Sequence, residues 1–132
     1  MKLLLPYLAI VATLMVLDVF WIGGVARPLY DRGIGHLMAE RPDFVAAAAF
    51  YLLFGVGVMA FVVRPRPPGD RRGTAAWGAA FGFIAYMTYD LTNLATLRDW
   101  PVGLSLVDMA WGCLATALAA TAGRLVADRL GR

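Results

Sequence analysis

The sequence predicts an all-α membrane protein, a bundle of four transmembrane helices with both termini on the cytoplasmic side. Three observations predict it. Of the 132 residues 61% are hydrophobic and only 16% charged, outside the range of an ordinary water-soluble domain. Four apolar runs each reach about 20 residues, the length at which a helix satisfies all its backbone groups across a bilayer. The twelve Lys and Arg residues, which with nine acids give a net charge of +3, gather mostly between and beyond those runs. They do not interleave with exposed aromatics as a nucleic-acid surface would, so no nucleic-acid partner is expected.

The first span covers residues 3–25. Lys2 ahead of an apolar run resembles a signal peptide, but a signal core is typically about 7 to 15 residues and free of acids. This run passes through Asp18, Phe20 and Trp21 to full spanning length. The following loop, residues 27–43, is mixed in sign, and within it Gly35–Glu40 is expected to form a short interfacial helix ended by Pro42. His36 and Glu40 lie four apart, yet two ligands do not make a metal site, and neither metal nor cofactor is expected.

The second span, residues 44–63, holds no charge within it; Ala46–Ala49, Gly55 and Gly57 leave it open as a partner-facing surface or as packing inside the monomer. Residues 64–73, RPRPPGDRRG, are short, basic and rich in Pro and Gly, which reads as a solvated connector. The third span covers residues 75–97 and the fourth residues 103–123, joined by a link so short that they form an antiparallel hairpin. The tail from Arg124 reads as a basic end that sets topology. Counting cations gives the orientation. Lys2, Arg64, Arg66, Arg71, Arg72, Arg124, Arg129 and Arg132 fall on the side of the termini, against Arg27, Arg32, Arg41 and Arg98 on the other, so the positive-inside rule places both termini inside. The four spans make one domain over residues 1–132.

Three aspartates lie within spans: Asp18, Asp90 and Asp108. No Lys, Arg or His accompanies them there. A carboxylate at a helix centre costs about 2.5 to 3.5 kcal/mol on insertion scales, against about 0.3 to 0.6 returned by each Leu or Ile. On the N-in topology Asp18 and Asp90 lie roughly 10 Å below the outer boundary and Asp108 roughly 8 Å below it. Three helices thus aim acids at one layer. Tyr86, Asp90 and Asn93 share a helical face with Gly78 and Gly82; Ser105 and Asp108 share one with Gly112, Ala115 and Ala119. Small residues at one end and bulky polar groups at the other predict a bundle that opens into a pocket toward the outer face. Asp18 and Trp21 are three apart, as are Asp108 and Trp111, so each indole is expected to line its own acid's cavity and offer an N–H donor. Trp77 and Trp100, near span ends, read as interface-belt residues, and the single cysteine, Cys113, as a packing residue.

The segment YDLTNLATLRDWP, Tyr89–Pro101, followed by D-x-x-W-G at Asp108–Gly112 and preceded by D-x-x-W at Asp18–Trp21, resembles the bacterial four-helix membrane family known as domain of unknown function 2177. The resemblance covers nearly the whole chain. It implies an integral inner-membrane protein whose recurring residues include Asp18, Trp21, Asp90, Thr92, Asn93, Trp100, Pro101, Asp108 and Trp111, and it implies no reaction.

Three functions follow as expectations. In the first, the acids, walled by Trp21, Tyr86, Tyr89 and Trp111, bind or transport a small or amphiphilic ligand, with proton coupling; a homodimer would then be needed for a full path across the bilayer. In the second, the chain is a membrane enzyme acting on a lipid or isoprenoid, one aspartate as acid and another as base. In the third it is an assembly subunit whose acids only hold the helices together. The ligand- or proton-binding candidates are Asp18, Trp21, Tyr86, Tyr89, Asp90, Asn93, Asp108 and Trp111.

Overall fold

A computed structural model describes residues 1–131, and Arg132, counted above among the inner cations, lies outside them. Its elements are helices: α1 (Leu4–Val25), α2 (Arg27–Ile34), α3 (Phe44–Val63), α4 (Arg71–Thr96) and α5 (Val102–Leu130). No strand occurs among the described residues. α1, α3 and α5 are long and apolar enough to cross a membrane. α4 has the length, 26 residues, but Thr74, Thr88, Asp90, Thr92, Asn93 and Thr96 lower its apolarity, and it is not among those three.

Local chemistry sets the boundaries. Asp43 caps α3, its carboxylate accepting from the backbone N–H groups of Val45 and Ala46, both at 3.0 Å, and so satisfies donors that a first turn leaves orphaned. Asp70 does the same for α4 through Gly73 N–H at 2.8 Å. That cap starts α4 at Arg71, four residues before the apolar run begins. Pro28 sits in the first turn of α2, where a missing N–H costs nothing. Asp99 takes φ of 60°, the left-handed conformation that Asp tolerates better than most residues, and turns the chain from α4 into α5. α1 and α3 both finish in a wider π-helical turn, Trp21–Val25 and Met59–Val63.

Two expectations about helix boundaries need correction. The short helix of the 27–43 loop is Arg27–Ile34 and not Gly35–Glu40, where only a 3-10 turn, Gly35–Leu37, forms. Pro28 nucleates the earlier segment, and Ile34 gives it an apolar anchor. The region from Arg124 is not a free tail either: α5 continues to Leu130. Arg124, 5% exposed, donates to the carbonyls of Val63 and Arg66, the latter at 2.8 Å, and lies 3.6 Å from Asp128. Its guanidinium supplies donors to α3's C-terminal carbonyls, which a helix end cannot satisfy internally.

α4 and α5 pack antiparallel with very little between them. A Cβ on Gly82 would stand 2.1 Å from the Gly112 carbonyl oxygen, and one on Gly112 would stand 2.3 Å from Tyr86 Cγ. Gly123 likewise admits Ile10 of α1, and Gly55 of α3 admits Tyr7 and Val11. An apolar cluster of Ile10, Leu14, Val58, Val62, Ala119 and Ala120 fills the half of the bundle nearer the termini. At the other end α2 folds back so that Ile34, Trp100 and Leu104 form a second cluster. Trp100 is therefore a buried core residue, its indole donating to Ser105 Oγ at 3.0 Å, and not the interface-belt residue expected. Between the two clusters lies a layer of acids and aromatics.

Candidate functional site

The layer begins with Asp18, one residue-pair short of α1's π turn and 5% exposed. Its carboxylate accepts from Tyr51 of α3 at 2.8 Å and from the Trp111 indole of α5 at 2.9 Å. Three helices therefore meet on one acid, each donor offsetting part of its burial. The indole that serves Asp18 comes from the opposite helix. Asp108 does not take its own helix's tryptophan; it accepts from the Tyr30 hydroxyl of α2. Each tryptophan lines the same cavity as the acid three residues before it, but the indole hydrogen bond crosses between helices because the two tryptophans face one another across the bundle. Trp21 and Trp111 stack with ring centroids 4.4 Å apart and planes 3° from parallel. That stack turns the Trp111 N–H toward Asp18 and leaves the Trp21 N–H beside the Tyr30 hydroxyl without a well-aligned bond.

Asp18, Asp108, Trp21 and Trp111 line a cavity of about 530 Å³. α3 contributes Ala47, Phe50, Tyr51 and Phe54, α4 contributes Ala85, Tyr86 and Tyr89, and Ile22 and Tyr30 complete the wall. The volume suits a small molecule. No Lys, Arg or His is among the lining residues, so nothing cationic balances the two acids. A second groove near the termini, between α1 and α3, is shallow and holds no acid.

Of the residues expected at the site, Asp18, Trp21, Tyr86, Tyr89, Asp108 and Trp111 line this cavity. Asp90 and Asn93 do not. Asp90 is wholly buried behind the wall, in hydrogen-bonding reach of the Asp108 carboxyl; Asn93 is half-buried further along α4, beside Tyr89. Tyr86 owes its place to Gly112, against which its ring lies. Tyr30 and Tyr51 were not foreseen. Tyr51 stands in an otherwise aromatic and aliphatic run, Phe50–Phe54, and Tyr30 in a loop, so neither carries a periodic signal; both are phenols within the segments facing the acids, which is the cue that was open to reading. Burial and, after it, the hydrogen bond to Asp108 push the Tyr30 phenol well above its ordinary value. His36 lies 3.6 Å from Asp99, and no group of three or more His, Cys, Asp or Glu that could hold a metal occurs among the described residues.

A family model described as predicted membrane protein, DUF2177, matches residues 3–125. The chain belongs to this family. No curated protein and no solved structure matches it. The DUF2177 match spans every lining residue of the cavity, and its description agrees with three helices apolar enough to cross a bilayer. A multi-pass membrane location follows.

Proposed function

We propose that this chain is a four-span protein of the bacterial inner membrane, with both termini in the cytoplasm, whose cavity binds a small amphiphilic cation. α4 serves as the fourth span. Its Gly78 and Gly82 lie against α5 and Asp90 is buried, while the exposed Thr88, Thr92 and Thr96 donate their hydroxyls to carbonyls of their own helix, which makes its modest apolarity tolerable.

The single observation that carries the reading is the convergence of two carboxylates, from α1 and α5, on a cavity with aromatic walls and no cationic side chain. Two like charges in a low-dielectric space attract a cation strongly, and indole and phenol faces add cation–π attraction and apolar contact. The outer half of α3 favours a membrane-soluble ligand. Phe44, Val45 and Leu53 are more than 70% exposed, so the helix that closes one side of the cavity stands against lipid, a route by which an amphiphile enters sideways. The half of the bundle nearer the termini is closed by the Gly78, Gly82 and Gly123 contacts. Transport across the whole bilayer from this cavity would therefore use a second copy of the chain.

The test is ligand-dependent thermal stability of the purified protein in detergent, with matched cationic, neutral and anionic amphiphiles, for wild type, Asp18→Asn and Asp108→Asn. The cationic members are expected to raise the unfolding temperature of wild type and of neither variant. Equal stabilisation by all three ligand classes, or stabilisation that survives both substitutions, overturns the reading.

A further inference from the structure

Asp90 is the one in-span acid that does not reach the cavity. It is 0% exposed, and neither of its carboxyl oxygens receives a hydrogen bond from a donor. No Lys, Arg or His pairs with it among the described residues. The titratable groups that face it are Asp108 of α5, Tyr30 of α2 and Tyr89 on its own helix; Asp18 of α1 and Tyr51 of α3 stand beyond Asp108 and bond to each other.

The Asp90 and Asp108 carboxyls lie within hydrogen-bonding reach of one another, and two ionised carboxylates can only accept hydrogen bonds. A bond between them therefore needs a proton on one of the two. Asp108 has two reasons to be the anion: it already accepts from Tyr30, and it opens to the cavity, where water or a cation can solvate it. Asp90 has neither. A bare carboxylate sealed from water with no donor and no cation is among the most costly groups a protein can hold, and it neutralises instead.

We propose that Asp90 is a protonated acid at neutral pH that donates its proton to the rear of the Asp108 carboxylate, a positioning residue that fixes Asp108 as the ligand-facing anion. The ligand-facing half of this statement rests on the function proposed above; the place of the proton does not. It follows that the three acids are not equivalent: Asp18 and Asp108 carry the cavity's charge, and Asp90 carries a hydrogen.

The test is infrared spectroscopy of the purified, ligand-free full chain in detergent, with aspartate labelled by 13C at its side-chain carboxyl. Wild type at about pH 7 is expected to show the carbonyl band of a protonated carboxylic acid, although a free aspartate titrates near 3.9. Asp90→Asn is expected to lose the band and Asp108→Asn to keep it. Because the Asn amide supplies an N–H where the acid supplied an O–H, Asp90→Asn is expected to unfold close to wild type and Asp90→Val well below it. Absence of the band in wild type, or its survival in Asp90→Asn, overturns the assignment. Should Asp90→Asn fail to fold, wild type alone decides: the band must persist as pH is raised from about 5 to about 8, and its loss over that range overturns the assignment equally. Since no ligand is present, failure here leaves the cation-binding reading standing, and failure of that reading leaves the band in place.

Discussion

Replacing Gly82 by Ala puts one methyl group where α4 and α5 have no room for it. The new Cβ would stand 2.1 Å from the Gly112 carbonyl oxygen, 2.4 Å from Thr116 Oγ1 and 2.7 Å from Thr116 Cβ. Ordinary contact begins near 3.4 Å, so the backbones must part by about 1.3 Å at this level, and the nearest obstacle is a backbone oxygen that cannot rotate away. Two effects compete. Ala favours a helix interior over Gly by about 1 kcal/mol, whereas overpacking a close interface costs about 1 to 3 kcal/mol. With three contacts below 3.0 Å the steric cost prevails, and Gly82→Ala is expected to destabilise by about 1 to 2 kcal/mol. Gly78→Ala meets Ala120 Cβ and the Thr116 carbonyl at 3.0 Å and Ala117 Cα at 3.1 Å; small shifts relieve these, and the two effects should nearly cancel. Gly103→Ala meets nothing within 4 Å and should be neutral or slightly stabilising. Unfolding in detergent, by denaturant or heat, should rank the three variants in that order of distance. Gly82→Ala as stable as Gly103→Ala would refute the close seam.

Three further outcomes are expected. Trp111→Phe keeps a ring to stack on Trp21 but removes the donor to Asp18; interhelical hydrogen bonds in membranes average about 0.6 kcal/mol and reach about 1.7 kcal/mol, and denaturant unfolding should show a loss between those values. Arg124→Met keeps the aliphatic stem but leaves the Val63 and Arg66 carbonyls without their donor and Asp128 without its cation, so a loss of about 3 kcal/mol is expected in the same assay. The Tyr30 phenol is held up, by burial first and Asp108 second, so the folded state keeps its proton where the unfolded chain would give it up. The stability this contributes is complete below about pH 10 and is lost as pH rises beyond it; Tyr30→Phe should flatten that alkaline slope in thermal unfolding followed against pH.

Three of the expected spans, α1, α3 and α5, were legible because a bilayer demands about 20 apolar residues whatever the packing, and α3 begins and ends where its run does. The α4–α5 seam was legible because Gly78, Gly82, Gly112 and Ala119 sit at helical spacing on single faces. Depth put all three acids in one layer, but it did not say that Asp18 and Asp108 line the cavity while Asp90 is buried behind its wall. Depth does not say which donor each acid receives. That Trp111 of α5 serves Asp18 of α1 depends on how the two helices face one another, which a short D-x-x-W pattern does not encode, and Tyr30 and Tyr51 reach the acids only because α2 and α3 pack beside them. Trp100 and Arg124 are instructive for the same reason: each lies near a span end, where sequence favours an interfacial reading, and each is buried because another element, α2 or the end of α3, closes over it. Asp90 shared a face with Tyr86 on a helical wheel, yet Tyr86 and Tyr89 line the cavity and Asp90 does not, since Asp90 is turned about 100° around α4 from Tyr89.

The cation site itself is tested most directly by calorimetric binding of tetraphenylphosphonium and tetraphenylborate, ions of one shape and opposite charge, to wild-type protein in a non-ionic detergent. The cation should bind with saturable stoichiometry, and the anion should not bind. Equal binding of the two ions, or of neither, would contradict a cavity whose charge selects its ligand.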